Sequence, residues 1–201
     1  MFKKTLLVSG IALAVAAPAM AEQRTSAVRD NGFSYTYGQL AYDRWDLDND
    51  WDVDAITGEG SFALDEHIFL RGGLSFYDGD YDRGPIHGDV DGNRLYGGVG
   101  FHTPLQRGLD FVGTADIIYD DYDVDYGDDD EIGFELRGGV RHATTEKLEL
   151  SGGLTYMDLH DDDLGVYGQG LFKLTPVVDL GARLVVAGDR DTFGVFGRYN
   201  F

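Results

Sequence analysis

Aspartate is the residue with the most chemistry to offer in this sequence, and it comes in clusters. Asp43, Asp46, Asp48, Asp50, Asp52 and Asp54 fall in one stretch, and Asp120, Asp121, Asp123, Asp125, Asp128, Asp129, Asp130 and Glu131 in another. Oxygen ligands at this density suit Ca²⁺ or Mg²⁺. Asp46, Asp48, Asp50, Asp52, Asp121, Asp123, Asp128, Asp129 and Asp130 are therefore the candidate ligands of a loosely bound divalent cation. A preformed cage is not expected. Asp46-x-Asp48-x-Asp50 has the spacing that opens a calcium loop, but Trp51 stands where the sharp turn needs Gly and Thr57 where a bidentate Glu belongs. The competing reading is a solvated acidic surface with no ligand. Other chemistry is thinly represented. With no cysteine, thiolate and disulfide chemistry are excluded. His67, His87, His102 and His142 show no ligand spacing and read as interfacial polar residues.

The elements that carry these acids start after an export signal. Lys3 and Lys4 precede an apolar run from Leu6 to Ala17, and Ala19-Met20-Ala21 offers a small-residue cleavage site. Residues 1–21 are thus expected to be a cleaved signal peptide and residues 22–201 the folded domain. The formal charge of the whole chain is −20, and losing both lysines makes it more negative still. That balance excludes a nucleic-acid partner, which demands clustered Lys and Arg. No other run approaches the ~20 apolar residues of a membrane-spanning helix. The 29 Gly, 12 Tyr and 12 Phe instead favour strands and turns.

Ten stretches alternate with period two, starting near Phe33, Val53, Ile68, Arg94, Leu109, Ile132, Leu148, Leu164, Val177 and Phe193. Ile132, Phe134, Leu136 and Val140 share one face, and Glu135, Arg137 and Arg141 the other. The greasy face is nearly continuous, so it belongs to lipid, and the charged face belongs to an interior. The pattern predicts an all-β, transmembrane, antiparallel up-and-down barrel of about ten strands, with eight as the alternative. In the first stretch Leu40 and Tyr42 change face relative to Phe33, Tyr35 and Tyr37, which predicts a bulge near Gly38. Short connections alternate with Asp-rich ones at 46–52, 78–91, 120–130, 158–163 and 188–190, which are expected to be external loops. Tyr42, Trp45, Phe76, Tyr119 and Tyr156 are expected in an external aromatic girdle, with Phe33, Phe62, Phe101, Phe172 and Tyr199 in a periplasmic one. The predicted lumen set is Glu59, Arg71, Arg94, Asp110, Asp116, Glu135, Arg137, Arg141, Glu149, Lys173, Asp179, Arg183 and Arg198. Both signs at small radius predict an ion-paired plug in preference to a conducting pore.

The last strand alternates through Phe193, Val195, Gly197 and Tyr199 to a terminal Phe201. With the signal peptide, it resembles the outer-membrane β-barrel family of Gram-negative bacteria, in size the small barrels of the OmpA, OmpX and OmpW type. The resemblance implies an outer-membrane location, a final strand whose Tyr199 and Phe201 are read by the barrel-assembly machinery, and lipopolysaccharide as a neighbour. A monomer without a tightly held cofactor is expected. Asp80-Tyr81-Asp82 and Asp158-Leu159-His160 resemble the Asp-x-Asp and Asp-x-His pairs of omptin proteases, implying a water activated by His160. Asp-x-Asp recurs throughout this chain, however, and the loops are short for that family. The expectation is a non-enzymatic barrel with a structural or surface-interaction role; a narrow path for ions or small polar solutes is the alternative.

Overall fold

The computed structural model describes residues 31–47, 51–83, 86–124, 127–159, 162–188 and 190–201. The expected signal peptide lies outside them, as do Asp48, Asp50, Asp125 and His160. Ten antiparallel strands close into one barrel: β1 Tyr37–Leu47, β2 Trp51–Ala63, β3 Ile68–Arg83, β4 Ile86–Gln106, β5 Leu109–Val124, β6 Gly127–Ala143, β7 Leu148–Asp158, β8 Asp162–Lys173, β9 Val178–Val186 and β10 Arg190–Asn200. Each strand pairs with its sequence neighbour, and β1 pairs with β10 to complete the ring. Closure leaves no open edge, as a sheet in lipid requires.

The alternation translates into two faces. Leu40, Ile56, Phe76, Ile117, Leu136, Leu154, Leu184 and Phe193 point outward and stay exposed. Their partners in the pleat point into the barrel, where space is the constraint. Tyr96, Phe69 and Phe196 lie flat against the inner wall because Gly73, Gly100 and Gly181 present no side chain beneath them. A Cβ on Gly73 would sit 2.7 Å from the Tyr96 ring. At the periplasmic end, Gly108 takes a φ of 75° in the β4–β5 turn, a backbone that glycine adopts at least cost.

Several expectations need correction. The register of β1 with both neighbours is unbroken from Tyr37 to Leu47, so no bulge forms near Gly38. Phe33 and Tyr35 are instead buried inside the barrel with Phe69, in phase with Gln39 and Ala41. Trp45 is likewise inside, packed with Val53, Ala55, Tyr77 and Val90, and not in the external girdle. A register shift falls between Pro104 and Gln106, where proline cannot supply a ladder N–H. The Asp-rich stretches 78–91 and 120–130 are mostly not loops. β3 pairs with β4 out to Arg83 and Ile86, and β5 with β6 out to Val124 and Gly127. In both hairpins aspartates alternate with inward Tyr77, Val90 and Tyr122, so period two continues although the outward residue has changed from apolar to acidic.

Candidate functional site

Two charged regions result, one inside the barrel and one around its external end. The inner region holds all thirteen residues of the predicted lumen set. Glu149 (β7) is held by Arg141 (β6) at 2.6 Å and Lys173 (β8) at 2.7 Å. Glu59 (β2) accepts from Arg71 at 3.1 Å and from the Tyr37 hydroxyl at 2.7 Å, and also from Tyr96. The Nε of Arg71 lies 3.6 Å from Asp116. Glu135 accepts from Arg137 at 3.0 Å and Thr155 at 3.1 Å, with Arg190 at 3.8 Å. Arg198 donates to Gln39 at 2.8 Å, and Asn200 donates to Asp179 at 2.7 Å. Arg94 reaches Asp120 at 2.7 Å.

Sequence reading missed part of this network. Asp43 and Asp120, both placed with the loop acids, are only 1% exposed. Asp43 crosses the seam to Arg183, and Asp120 takes Arg94 and the Tyr77 hydroxyl at 3.1 Å. Arg190, read as a loop residue, also points inward. Parity was the available signal: Asp43 shares a face with Gln39 and Trp45, and Asp120 with Asp110 and Asp116. His102 is not interfacial but buried, stacked 3.7 Å from the Tyr35 ring and 3.3 Å from Asp110.

The chain ahead of β1 packs against the inner wall at the periplasmic end. Residues 31–36 turn into the barrel as an inner strap. Asn31 donates to Asp110 at 2.6 Å and Tyr35 to the same carboxylate at 2.9 Å. Arg141 donates to the Ser34 carbonyl at 3.0 Å, and Lys173 to that of Gly32 at 3.2 Å. Above the strap, cavities of about 100 and 110 Å³ lie among the described residues, both touching Arg71, Arg137, Arg183, Tyr167 and Gln169. Each is large enough for a water cluster or a small ion, and far below the several hundred Å³ of a drug-sized ligand pocket.

The outer region is a collar. In register, Asp54 pairs with Asp78, Asp78 with Asp91 and Asp91 with Asp123. One step further out, Asp191 pairs with Asp46, Asp46 with Asp52, Asp52 with Asp80 and Asp80 with Asp89. These side chains face outward just beyond the lipid-facing band. Arg44 meets Asp52 at 3.2 Å with both groups well exposed. Of the predicted cation ligands, Asp46, Asp52, Asp121 and Asp123 thus join the collar, Asp128 pairs in register with Asp123, and Asp129 and Asp130 are exposed near the β5–β6 tip. Among the described residues no group of three or more acids or histidines converges as a metal site. Asp80 and Asp158, from the protease-like pairs, are both exposed on the outer face, four strands apart. Tyr199 and Phe201 lie edge to face at 5.1 Å on the barrel exterior.

An apolar exterior wrapped around a charged, hydrogen-bonded interior defines a transmembrane β-barrel. The chain belongs to the outer membrane protein beta-barrel domain family, whose model matches residues 7–175. No characterised protein sequence matches it. Among solved structures it is similar to the NanC porin (7% identity, TM-score 0.50, covering 82% of this chain and 100% of that one). It is also similar to the translocator domain of the autotransporter NalP from Neisseria meningitidis (12%, 0.51, 83% and 87%). The beta domain of the Bordetella autotransporter BrkA is comparable (13%, 0.50, 84% and 99%). At these identities the likeness is one of fold.

Proposed function

We propose that this barrel is a closed, structural component of the outer membrane whose acidic collar ties it to its surroundings through divalent cations. The observation that carries the reading is the charge arrangement. Inside, most charges are held by an opposite charge or a polar side chain at hydrogen-bond distance, and the chain ahead of β1 straps the periplasmic end. Outside, carboxylates sit on neighbouring strands, and Arg44 meets only Asp52 among the described residues. Carboxylates this close repel one another, and a cation shared with lipopolysaccharide phosphates relieves the repulsion on both sides. Because no cage is built, affinity is weak and Mg²⁺ serves as well as Ca²⁺.

Planar-bilayer recordings of the refolded protein test the closed lumen; no resolved steps are expected over a wide voltage range. Thermal unfolding in lipopolysaccharide-containing vesicles tests the collar. Millimolar Ca²⁺ should raise the midpoint for the wild type and not for Asp54→Asn/Asp78→Asn/Asp91→Asn, with chelator as control. An equal response of both proteins at matched ionic strength rules the collar out. A second reading, a narrow path for ions, draws on the two cavities with shared lining residues. It predicts small, ion-selective steps in the same recordings.

A further inference from the structure

The strap at 31–36 carries no strand pairing of its own, yet its two ends are fixed far apart on the ring. At the β1 end, the Thr36 carbonyl accepts from the Phe201 N–H at 3.2 Å and the Thr36 Oγ1 from the Ala63 N–H at 3.1 Å. At the other end, Asn31 clips onto the β4–β5 turn. Its side chain accepts from the Gly108 N–H at 2.9 Å and donates to the Gln106 carbonyl at 3.0 Å. That turn lies three to four strands from β1 in a ring of ten, so the strap runs as a chord across the periplasmic mouth. Arg141 of β6 and Lys173 of β8 hold its carbonyls from the remaining side. Tyr35, pointing inward from the strap, lines one cavity with Phe69; the other cavity shares part of that lining and reaches Trp45 and Arg190 at the external end. The spaces therefore follow one another from the strap to the outer rim.

We infer that the strap is a hinged gate, pivoting at Thr36 and latched by Asn31 and Tyr35 on Asp110, whose release opens the cavities to the periplasm as a path for small ions. The inference rests on the closed lumen proposed above and makes that closure conditional. The two ends differ in kind. Thr36 is tied to backbone groups, whereas the far end is held through side chains that converge on one carboxylate. Asp110 is 3% exposed and takes Asn31 at 2.6 Å and Tyr35 at 2.9 Å through separate oxygens. Charge-assisted hydrogen bonds are strong, but a segment without a ladder opens at lower cost than the strands around it. Gly32 turns the chain between latch and aromatics at a φ of 83°, with no atom within 4 Å of a Cβ position. Asp110 and Gly108 belong to the barrel wall, so opening requires no strand to move.

The test joins planar-bilayer recording with chymotrypsin digestion of the refolded mature barrel. Chymotrypsin cuts after aromatic residues, so a new N-terminus following residue 33 or 35, read by mass spectrometry, reports release of the strap. In the wild type both positions should be protected and the recordings silent. Asn31→Ala/Tyr35→Phe removes the latch and leaves the wall intact; cleavage should accelerate about tenfold or more, and resolved steps should appear. Should that variant fail to fold, as heat-modifiable mobility reports, Gly32→Ala strains the strap's left-handed backbone without touching the wall and should act in the same direction more weakly. Faster cleavage with silent recordings leaves the closed lumen standing and overturns the gate. Unchanged cleavage overturns the latch and the gate with it. Equal steps in wild type and variant overturn the closed lumen and the gate together.

Discussion

The membrane band and the external collar are built by the same strands with the same inside–outside phase, yet their chemistry is inverted. Along β3, Leu74 and Phe76 face out and Arg71 and Ser75 face in; two residues further on, Tyr77 faces in and Asp78 and Asp80 face out. On β2, Ile56 faces lipid opposite Glu59 and Thr57, while Asp54 faces water opposite Val53 and Ala55. The pleat does not change at the boundary; only the solvent does. Below it, lipid demands an apolar exterior and the interior takes the polar groups. Above it, water takes the acids, and the Trp45–Tyr77–Val90 cluster forms a small soluble-type core inside the rim. The Arg94 guanidinium, 4.7 Å from the Trp45 ring, joins the two regimes.

The largest effect should come from the inner face of the membrane band. Glu149→Ala strands Arg141 and Lys173 around an empty site. Breaking a buried pair costs ~3–5 kcal/mol, and the lower end applies because the Lys173 side chain is 30% exposed. Equilibrium urea unfolding in lipid vesicles measures this; a loss below about 1 kcal/mol would mean that the network is solvated and the lumen wet. On the outer face, the same substituent should behave oppositely in the two regions. Leu136→Arg, in mid-strand against lipid, should cost ~2–4 kcal/mol. Asp78→Arg should be neutral or stabilising, since its register neighbours are Asp54 and Asp91. Similar costs for both would erase the boundary drawn between β3's two halves.

A smaller effect concerns the collar's own repulsion. Asp91→Asn alone should stabilise by ~0.2–1 kcal/mol, the range for cross-strand charge pairs. The gain should shrink as salt is raised, because these groups are exposed and screened. A gain that persists at 1 M salt points to local packing and not to charge.

How much of this was legible in the sequence follows from the same inversion. Period two and the terminal aromatic strand were enough for ten antiparallel strands and for the face on which Glu59, Arg137 and Arg183 lie. Residue type misleads where it departs from parity. Trp45 and Phe33, as aromatics, suggest the interfacial girdles, and Asp43 and Asp120, as acids, suggest the loops, although each keeps the inward phase of its neighbours. Likewise 78–91 and 120–130 were read as loops because a strand in water shows aspartate where a strand in lipid shows leucine. The pairing of Asp43 with Arg183 joins β1 to β9 across β10. Alternation along one strand carries no information about such a contact, nor about the strap at 31–36.

The smallest expected effect contrasts an acid that helps with the collar acids that hinder. Asp65, in the periplasmic β2–β3 turn, accepts from the backbone N–H of His67 at 2.7 Å and of Ile68 at 2.8 Å through one carboxylate oxygen. The His67 amide first, and then that of Ile68, hold its carboxyl below the ordinary value of 3.8. A carboxyl depressed in the folded state contributes stability that is fully present above its unfolded value and is lost as pH falls through its folded one. The contribution of Asp65 should therefore be intact at pH 7 and fade only below about pH 4. Because the group is fully exposed, its effect should appear as a slight shift in the urea midpoint. Asp65→Asn keeps an acceptor but loses the charge, so the wild type should be slightly more stable at pH 7 and the two should converge toward pH 3. Asp91→Asn, by contrast, should be the more stable partner of its own comparison at pH 7. If Asp65→Asn and wild type differ by the same amount at both pH values, the turn is held by shape alone, and the distinction between the helping acid and the hindering ones fails at this end of the barrel.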